Sequence, residues 1–346
     1  MLKESNRKRI KCVVWDLDDT IWTGTLLEGD KVVLKPHIRS VIEVLDKRGI
    51  LQSIASRNDY NLAMEKIEEF GLKEYFLYPQ IGWNSKSSSI QKIKDSLNIP
   101  MDSIAFVDDQ SFEREEINFV FPEVLCFDGN ESQNLLEYPE LMPRFITRDS
   151  LTRRQMYMDD TKRKDAESQF EGVQEEFLAN LDMKLTINLA DDQDLKRIEE
   201  LTVRTHQLNS TGYTYSYEEL DQFRKMDTYK LYVAELEDRY GTYGKIGVVL
   251  IECKKEVWRI KLLLMSCRVM NRGVGSAVLN FVKELVAREN VKLQAEFVET
   301  DRNRMMYITY RFAGFKEVSC KEGLTILEAA FEDKCSYPEY MELITP

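Results

Sequence analysis

Carboxylates crowd one short stretch near the start of the chain, Asp16-Leu-Asp-Asp-Thr20, directly after the apolar run Lys11-Cys-Val-Val-Trp. In extended chain Asp16 and Asp18 share a face, and paired carboxylates repel unless a cation or a proton lies between them. A second pair, Asp108-Asp109, ends a later apolar run. It could complete a cradle for Mg²⁺, which takes a few carboxylates plus water and phosphate oxygens. Ser56 ends another such run just before a helix, where hydroxyl and backbone N–H groups suit a phosphate oxygen. Lys86 opens a further helix and offers positive charge to the same anion. Singly, an Asp at a strand end is more often a turn former or a helix cap. Together, in order and each at a strand end or helix start, the four point to handling of a phosphoryl group.

The elements that must position them follow from periodicity. Short apolar runs predict strands at Lys11–Asp16, Leu51–Ala55, Tyr75–Tyr78, Ser103–Val107 and Val124–Phe127. Between them, apolar residues at helical spacing (Ile38/Val41/Ile42/Leu45, Leu62/Ile67/Phe70, Ile90/Ile93/Leu97, Phe112/Ile117/Val120) predict helices. This βαβα order implies an α/β fold, a doubly wound parallel sheet covered on both faces, whose ligands sit at the carboxyl ends of the strands. Asp18 to Ser56 and Ser56 to Lys86 are each about one βαβ unit, roughly 30–40 residues. Only a short Thr23–Val33 flap is left over, so no large cap domain is expected, and an open site favours a large or partner-presented substrate.

This constellation resembles the haloacid dehalogenase-like (HAD) phosphotransferases. The resemblance implies that Asp16 is a nucleophile forming an aspartyl-phosphate and that Asp18 is the general acid/base. It further implies that Ser56 and Lys86 hold the phosphoryl group, with Thr20 and Arg57 as additional phosphate-binding candidates. Mg²⁺ would be held by Asp108 and Asp109 together with Asp16 and Asp18.

The rest of the chain differs in kind. Residues 129–182 read as a helical connector whose mixed charges, Arg148 through Glu167, suggest a solvated face. From 183 onward come a strand (Lys184–Leu189), helices (Asp191–Arg204 and Glu218–Arg224) and three strands in series (Tyr229–Leu236, Lys245–Glu252, Val257–Met265). A glycine-bearing loop, Arg272-Gly-Val-Gly-Ser-Ala277, opens a helix running to Arg288. Strand Lys292–Val298, helix Arg302–Ala313 and strand Phe315–Val318 follow. Glycines let a backbone approach a pyrophosphate closely, and a helix N-terminus stabilises its charge. The loop in this strand and helix order, with Asn303…Tyr310-x-x-x-Gly314-Phe315, resembles the GNAT N-acetyltransferases, whose sheet is mostly antiparallel. What that implies is a site for the phosphopantetheine arm of coenzyme A or of a carrier protein along Arg272, Gly273, Gly275 and Ala277. Cys267, at the end of the preceding strand, is either a nucleophilic thiol activated beside Arg268 or a small buried hydrophobe. His206, Gln207 and Asn209 in a polar loop, with Tyr310, are candidates for the acyl site; a lone His is more often a surface residue than a base.

Joined in one chain, Asp16-Leu-Asp-Asp-Thr20, Trp83-Asn-Ser-Lys-Ser87, Phe106-Val-Asp-Asp-Gln-Ser-Phe-Glu-Arg114, Gln207-x-Asn209 and Ser266-Cys-Arg-Val-Met-Asn-Arg-Gly273 resemble the FkbH-like proteins. Gln110, Arg57 and His206 depart from that pattern, standing where Asn, Lys and Asn are expected. The resemblance implies loading of a glyceryl unit from 1,3-bisphosphoglycerate onto an acyl carrier protein, with loss of phosphate and with Cys267 as a relay. Alternatives are an enzyme loading another acyl unit, a phosphatase fused to a CoA-dependent N-acetyltransferase, and a scaffold without turnover.

Composition bounds the partners. The 346 residues carry 48 Lys+Arg against 60 Asp+Glu, a net charge of −12, which argues against general affinity for nucleic acid or an anionic membrane. An acidic carrier would then need a local basic surface, for which Lys162-Arg-Lys164 and Arg302/Arg304 are candidates. The longest clean apolar run, Ile246–Ile251, falls far short of the ~20 residues that span a bilayer. Six scattered Cys without a C-x-x-C pair and a polar N-terminus are what a cytoplasmic protein with reduced thiols would show.

Overall fold

The computed structural model describes residues 9–330 and 336–346; Cys335 and the first eight residues lie outside them. The chain divides into two compact units, Met1–Met158 and Asp159–Pro346. The stretch 129–182, expected as a connector, therefore contributes to both.

In the front unit the elements are β1 (Cys12–Trp15), β2 (Trp22–Thr23), β3 (Val33–Leu34), α1 (Ile38–Lys47), β4 (Leu51–Ser56), α2 (Tyr60–Glu69), β5 (Gln80–Ile81), α3 (Lys86–Leu97), β6 (Ile104–Asp108), α4 (Ser111–Val120), β7 (Leu125–Asp128) and the short α5 (Arg148–Leu151). Five strands form a wholly parallel sheet in the order β5-β4-β1-β6-β7. Every residue of β1, β4 and β6 is buried, as a sheet covered on both faces requires. One face packs Val13, Trp15 and Ile54 under α1 and α2; the other packs Val14, Ala55 and Phe106 under α3 and α4. Helix starts are set by side-chain caps: Asp59 accepts from Leu62 N, and Ser85 from Ser88 N. Between Asp18 and Lys86 lie only the β2–β3 hairpin with a helical turn in its loop, two helices, a second helical turn and two strands.

One strand sits later than its sequence suggests. Tyr75–Tyr78 was the expected strand, but Lys73–Tyr75 forms a 3₁₀ turn and Phe76 makes a single bridge to Gln52. Tyr78 takes a left-handed φ of 51° and Pro79 has no N–H, so pairing resumes only at Gln80.

Then follow α6 (Arg153–Ser168), α7 (Gln174–Ala179), β8 (Met183–Leu189), α8 (Leu195–Arg204), α9 (Tyr217–Lys225), β9 (Tyr229–Asp238), β10 (Gly241–Cys253), β11 (Val257–Met265), α10 (Val274–Glu289), β12 (Lys292–Val298), α11 (Arg304–Phe312), β13 (Phe315–Lys321), β14 (Leu324–Ala329) and β15 (Met341–Ile344). Eight strands run β13-β14-β12-β11-β10-β9-β8-β15. The sheet is mostly antiparallel; β11–β12 and β15–β8 are its parallel pairs. Helices α10 and α11 cover one face, and α8 and α9 the other.

The charged face expected on α6 is partly interior. Arg163 is wholly buried, its Nε 2.7 Å from Asp238 Oδ2 and its guanidinium 3.9 Å from the centre of the Tyr243 ring. Lys162 pairs with Asp159 and Lys164 with Asp160. The Lys162-Arg-Lys164 run is thus no free basic patch. Arg304 is exposed, and Arg302 is exposed beside Asp301. No helix among the described residues is long and apolar enough to cross a membrane.

Candidate active site

β1 stops at Trp15, and the chain turns sharply on Leu17, whose carbonyl accepts the N–H groups of Thr20 and Ile21. Asp19 takes a left-handed φ of 50° to make that turn. Asp16 is delivered to the carboxyl edge of the sheet, beside the ends of β4 and β6 that carry Ser56 and Asp108.

Lys86, the first residue of α3, reaches in and is 3% exposed. Its Nζ donates to Asp16 Oδ1, to Asp108 Oδ2 (3.0 Å) and to the Ala55 carbonyl (2.9 Å). Carboxylate oxygens of Asp16, Asp108 and Asp109 lie within 4.8 Å of one another. Three convergent carboxylates with one buried ammonium fit a hard dication such as Mg²⁺, which binds through carboxylates, water and phosphate oxygens.

The electrostatics are those of a site short of positive charge. Burial lifts the Asp16 carboxyl above the usual range against the pull of Lys86, and burial with neighbouring Asp16 does the same to Asp108. Asp109 is raised by burial and by Asp108. Burial alone would depress Lys86, but Asp16 and Asp108 hold it above the ordinary ammonium range, so it stays charged.

The other front residues are placed as follows. The Ser56 side chain lies close enough to the Asp16 carboxyl to pull its pKa down against the effect of burial. Thr20 Oγ1 receives the Asp109 N–H at 3.0 Å and donates to Asp109 Oδ1 at 3.3 Å, so it orders the carboxylates. Arg57 is partly exposed and pairs with Glu113 (3.0 Å) and Glu116 (3.7 Å). Asp18, expected among the metal ligands, stands outside the carboxylate group. Its oxygens accept from Trp22 Nε1 (2.7 Å) and Leu26 N (3.1 Å) of the hairpin and from Asn58 Nδ2 (3.0 Å) of the β4–α2 junction, which hold it in place. Burial raises its pKa too, offset in part by Trp22.

Sequence reasoning missed Asn58, Gly129 and Glu116. Asn58 is two residues past Ser56 and wholly buried, a signal only burial reveals. Gly129 leaves no room for a side chain: a Cβ there would lie 2.8 Å from Thr20 Oγ1 and 2.9 Å from Asp109 N.

In the rear unit, β11 pairs with β12 only from Val257 to Ile260, and beyond that the two parallel strands diverge. The segment Leu208–Ser210 fills the fork. Ser210 N donates to Leu263 O (2.9 Å), Met265 N to Leu208 O (2.9 Å) and Val298 N to Ser210 O (3.0 Å). Asn209 is buried, and its Oδ1 accepts from Thr211 N (3.1 Å) and Gly212 N (2.9 Å), so it shapes the loop. His206 and Gln207 are exposed. Tyr310 is fully buried against Phe315, and burial pushes its phenol up. Cys267 is half-buried in a 3₁₀ turn that opens two residues after β11, capped by Ser266.

The loop before α10 is engaged within its own unit. Arg272 is 7% exposed, 3.1 Å from Glu167 and over the Phe177 ring. Gly273 has a φ of 75°, and a Cβ there would stand 2.5 Å from the Tyr340 hydroxyl. Gly275 lets Met265 and Thr309 close on the helix, and Ala277 is buried. All four candidates for pantetheine binding thus have packing reasons for their residue types.

The parallel order β5-β4-β1-β6-β7 with carboxylates at the strand ends, and the mixed sheet forking at β11–β12, decide the architecture. In fold, the chain is a HAD-like unit followed by a GNAT-like unit. No protein-family model matches it. Human magnesium-dependent phosphatase 1 is 28% identical over 119 residues, covering 29% of this chain and 68% of that protein. The phosphatase-domain part of a Bacteroides fragilis protein, crystallised with Mg, is 28% identical at a TM-score of 0.33. That match covers 40% of this chain and 41% of the Bacteroides one. A GNAT family acetyltransferase from Elizabethkingia anophelis with acetyl-CoA bound is 18% identical at a TM-score of 0.27, covering 34% and 84% of the two chains.

Proposed function

We propose that the HAD-like unit removes a phosphoryl group by way of Asp16 and that the GNAT-like unit transfers an acyl group. The observation that carries the reading is the buried convergence of Asp16, Asp108 and Asp109 on Lys86. Charges this expensive to bury together are retained where chemistry needs them. Mg²⁺, held by Asp16, Asp108 and Asp109, would offset negative charge on the phosphoryl oxygens and on the carboxylates.

The residues divide the work. An Asp16 oxygen attacks phosphorus, the bond from phosphorus to the leaving oxygen breaks, and that oxygen takes a proton from Asp18. Water then cleaves the aspartyl-phosphate and returns the proton to Asp18, releasing inorganic phosphate. Lys86 and the Ser56 hydroxyl hold the transferring group. The raised Asp18 pKa suits a proton donor, and its three hydrogen-bond donors fix its direction.

In the finer reading the donor is 1,3-bisphosphoglycerate and the acceptor is the phosphopantetheine thiol of an acyl carrier protein. An acyl phosphate is activated toward thiolate attack. The Cys267 sulfur would attack the C1 carbonyl, forming a thioester as the phosphate of the acyl phosphate leaves. The HAD-like unit would hydrolyse the remaining phosphate ester at C3 by way of Asp16, before or after transfer, and the carrier thiol would displace Cys267. The test is to incubate the chain with holo carrier protein and 1,3-bisphosphoglycerate and weigh the carrier intact. A donor-dependent gain of one glyceryl group, absent in Cys267→Ala, is expected. No gain with this donor, but acetylation of an amine from acetyl-CoA, would overturn the glyceryl reading and leave the phosphatase one standing.

A further inference from the structure

Helix α4 carries a carboxylate that the reaction as drawn does not use. Glu116 lies two turns beyond Asp108 and is partly buried. Its Oε1 accepts from both the backbone N–H (3.3 Å) and the hydroxyl (2.7 Å) of Ser87. Its Oε2 faces the Arg57 guanidinium at 3.7 Å, and Glu113 holds the other edge of that fork at 3.0 Å. Ser87 directly follows Lys86, and Arg57 directly follows Ser56. The two side chains assigned to the phosphoryl group therefore sit on separate elements, the end of β4 and the start of α3, each anchored one residue downstream on the same carboxylate.

We infer that Glu116 is a positioning residue that locks Ser56 and Lys86 in mutual register around the phosphoryl group. This rests on the phosphatase reading. Ser56 and Lys86 come from different βα junctions, and β5, the strand leading to α3, pairs with β4 through only two residues. So short a ladder constrains the start of α3 weakly. Ser85 caps that start, and its hydroxyl lies 3.0 Å from Ser87 Oγ, to which it can donate while Ser87 donates to Glu116, so the pull of Glu116 passes into the cap itself. Displacement of a catalytic group by about 1 Å can cost a hundredfold in rate.

Glu116→Ala removes both anchors. Glu116→Gln keeps an oxygen that can accept from Ser87 and gives up only the charge facing Arg57. Glu115→Ala, at an exposed neighbour on the same helix, controls for loss of one charge from α4. On the full-length chain with Mg²⁺, two readouts apply: hydrolysis of p-nitrophenyl phosphate, and calorimetric binding of tungstate as a phosphate mimic. The expected result is a fall in kcat on the order of tenfold or more for Glu116→Ala, with tungstate bound correspondingly weaker and Tm matching Glu115→Ala. Glu116→Gln should recover most of both losses. If Glu116→Ala and Glu115→Ala are alike in kcat and in tungstate affinity, Glu116 positions nothing. A wild type that binds tungstate without hydrolysing the ester would end the phosphatase reading, and the tungstate series would still decide the role of Glu116. A wild type that does neither ends both.

Discussion

At the scale of single residues, the front site is a balance of charge in a place where water is scarce. Three carboxylates and one ammonium leave an excess of negative charge, and burial raises Asp16, Asp108 and Asp109 together. A raised carboxyl keeps its proton to a higher pH than a free one, and a dication must displace whatever proton is held. The sign follows: Mg²⁺ binds weakly where these groups are protonated and strengthens as pH rises through their elevated range, releasing protons as it binds. Titrating Mg²⁺ calorimetrically at pH 5.5 and pH 8 should give the tighter binding at pH 8, with a heat that varies with the ionisation enthalpy of the buffer. Equal affinity at both pH values would mean that the carboxylates are already ionised without the metal.

At the scale of elements, strand ends and helix starts do the placing, and one glycine sets the fit. Gly129 follows β7 and presses its backbone onto Thr20 and the Asp108–Asp109 peptide. Gly129→Ala adds one methyl group to a gap without room for it, an overpacking that costs about 1–3 kcal/mol. The variant is expected to fold with a lowered Tm and to lose Mg²⁺ affinity as Thr20 and Asp109 are pushed apart. Unchanged metal affinity in calorimetry would show that the site gives way freely there. The sequence disclosed the elements that carry chemistry because they are dense in signal. Asp16, Ser56, Lys86 and Asp108 each end an apolar run or begin a helix. Elements read less well where a local rule was overridden. Tyr78 in a left-handed conformation before Pro79 moved β5 downstream. Asp191 and Asp194 bond one another's backbone N–H groups, so α8 starts at Leu195 rather than at Asp191. The hairpin turn Glu322-Gly323, both at positive φ, joins β13 to a β14 that periodicity did not reveal. Glu116 was illegible because its importance lies in what Ser87 and Arg57 touch, and spacing carries no trace of that.

At the scale of the whole molecule, two folds of different construction share one chain, and each has polar groups converging where its sheet opens. In the HAD-like unit the convergence is charged and buried. In the GNAT-like unit it is a fork between β11 and β12 whose main-chain groups are met by Leu208–Ser210, with Cys267 just past the end of β11. The acyl-transfer chemistry proposed for the second unit takes its meaning from phosphoryl chemistry in the first, so the first is the place to test. Phosphate release from 1,3-bisphosphoglycerate, and from p-nitrophenyl phosphate as a generic ester, should be measured with and without Mg²⁺ for the wild-type chain and for Asp16→Asn. The account predicts a Mg²⁺-dependent component of release from both compounds in the wild type, reduced at least about a hundredfold on p-nitrophenyl phosphate in Asp16→Asn. Release from that ester that survives Asp16→Asn undiminished, or that ignores Mg²⁺, would contradict it.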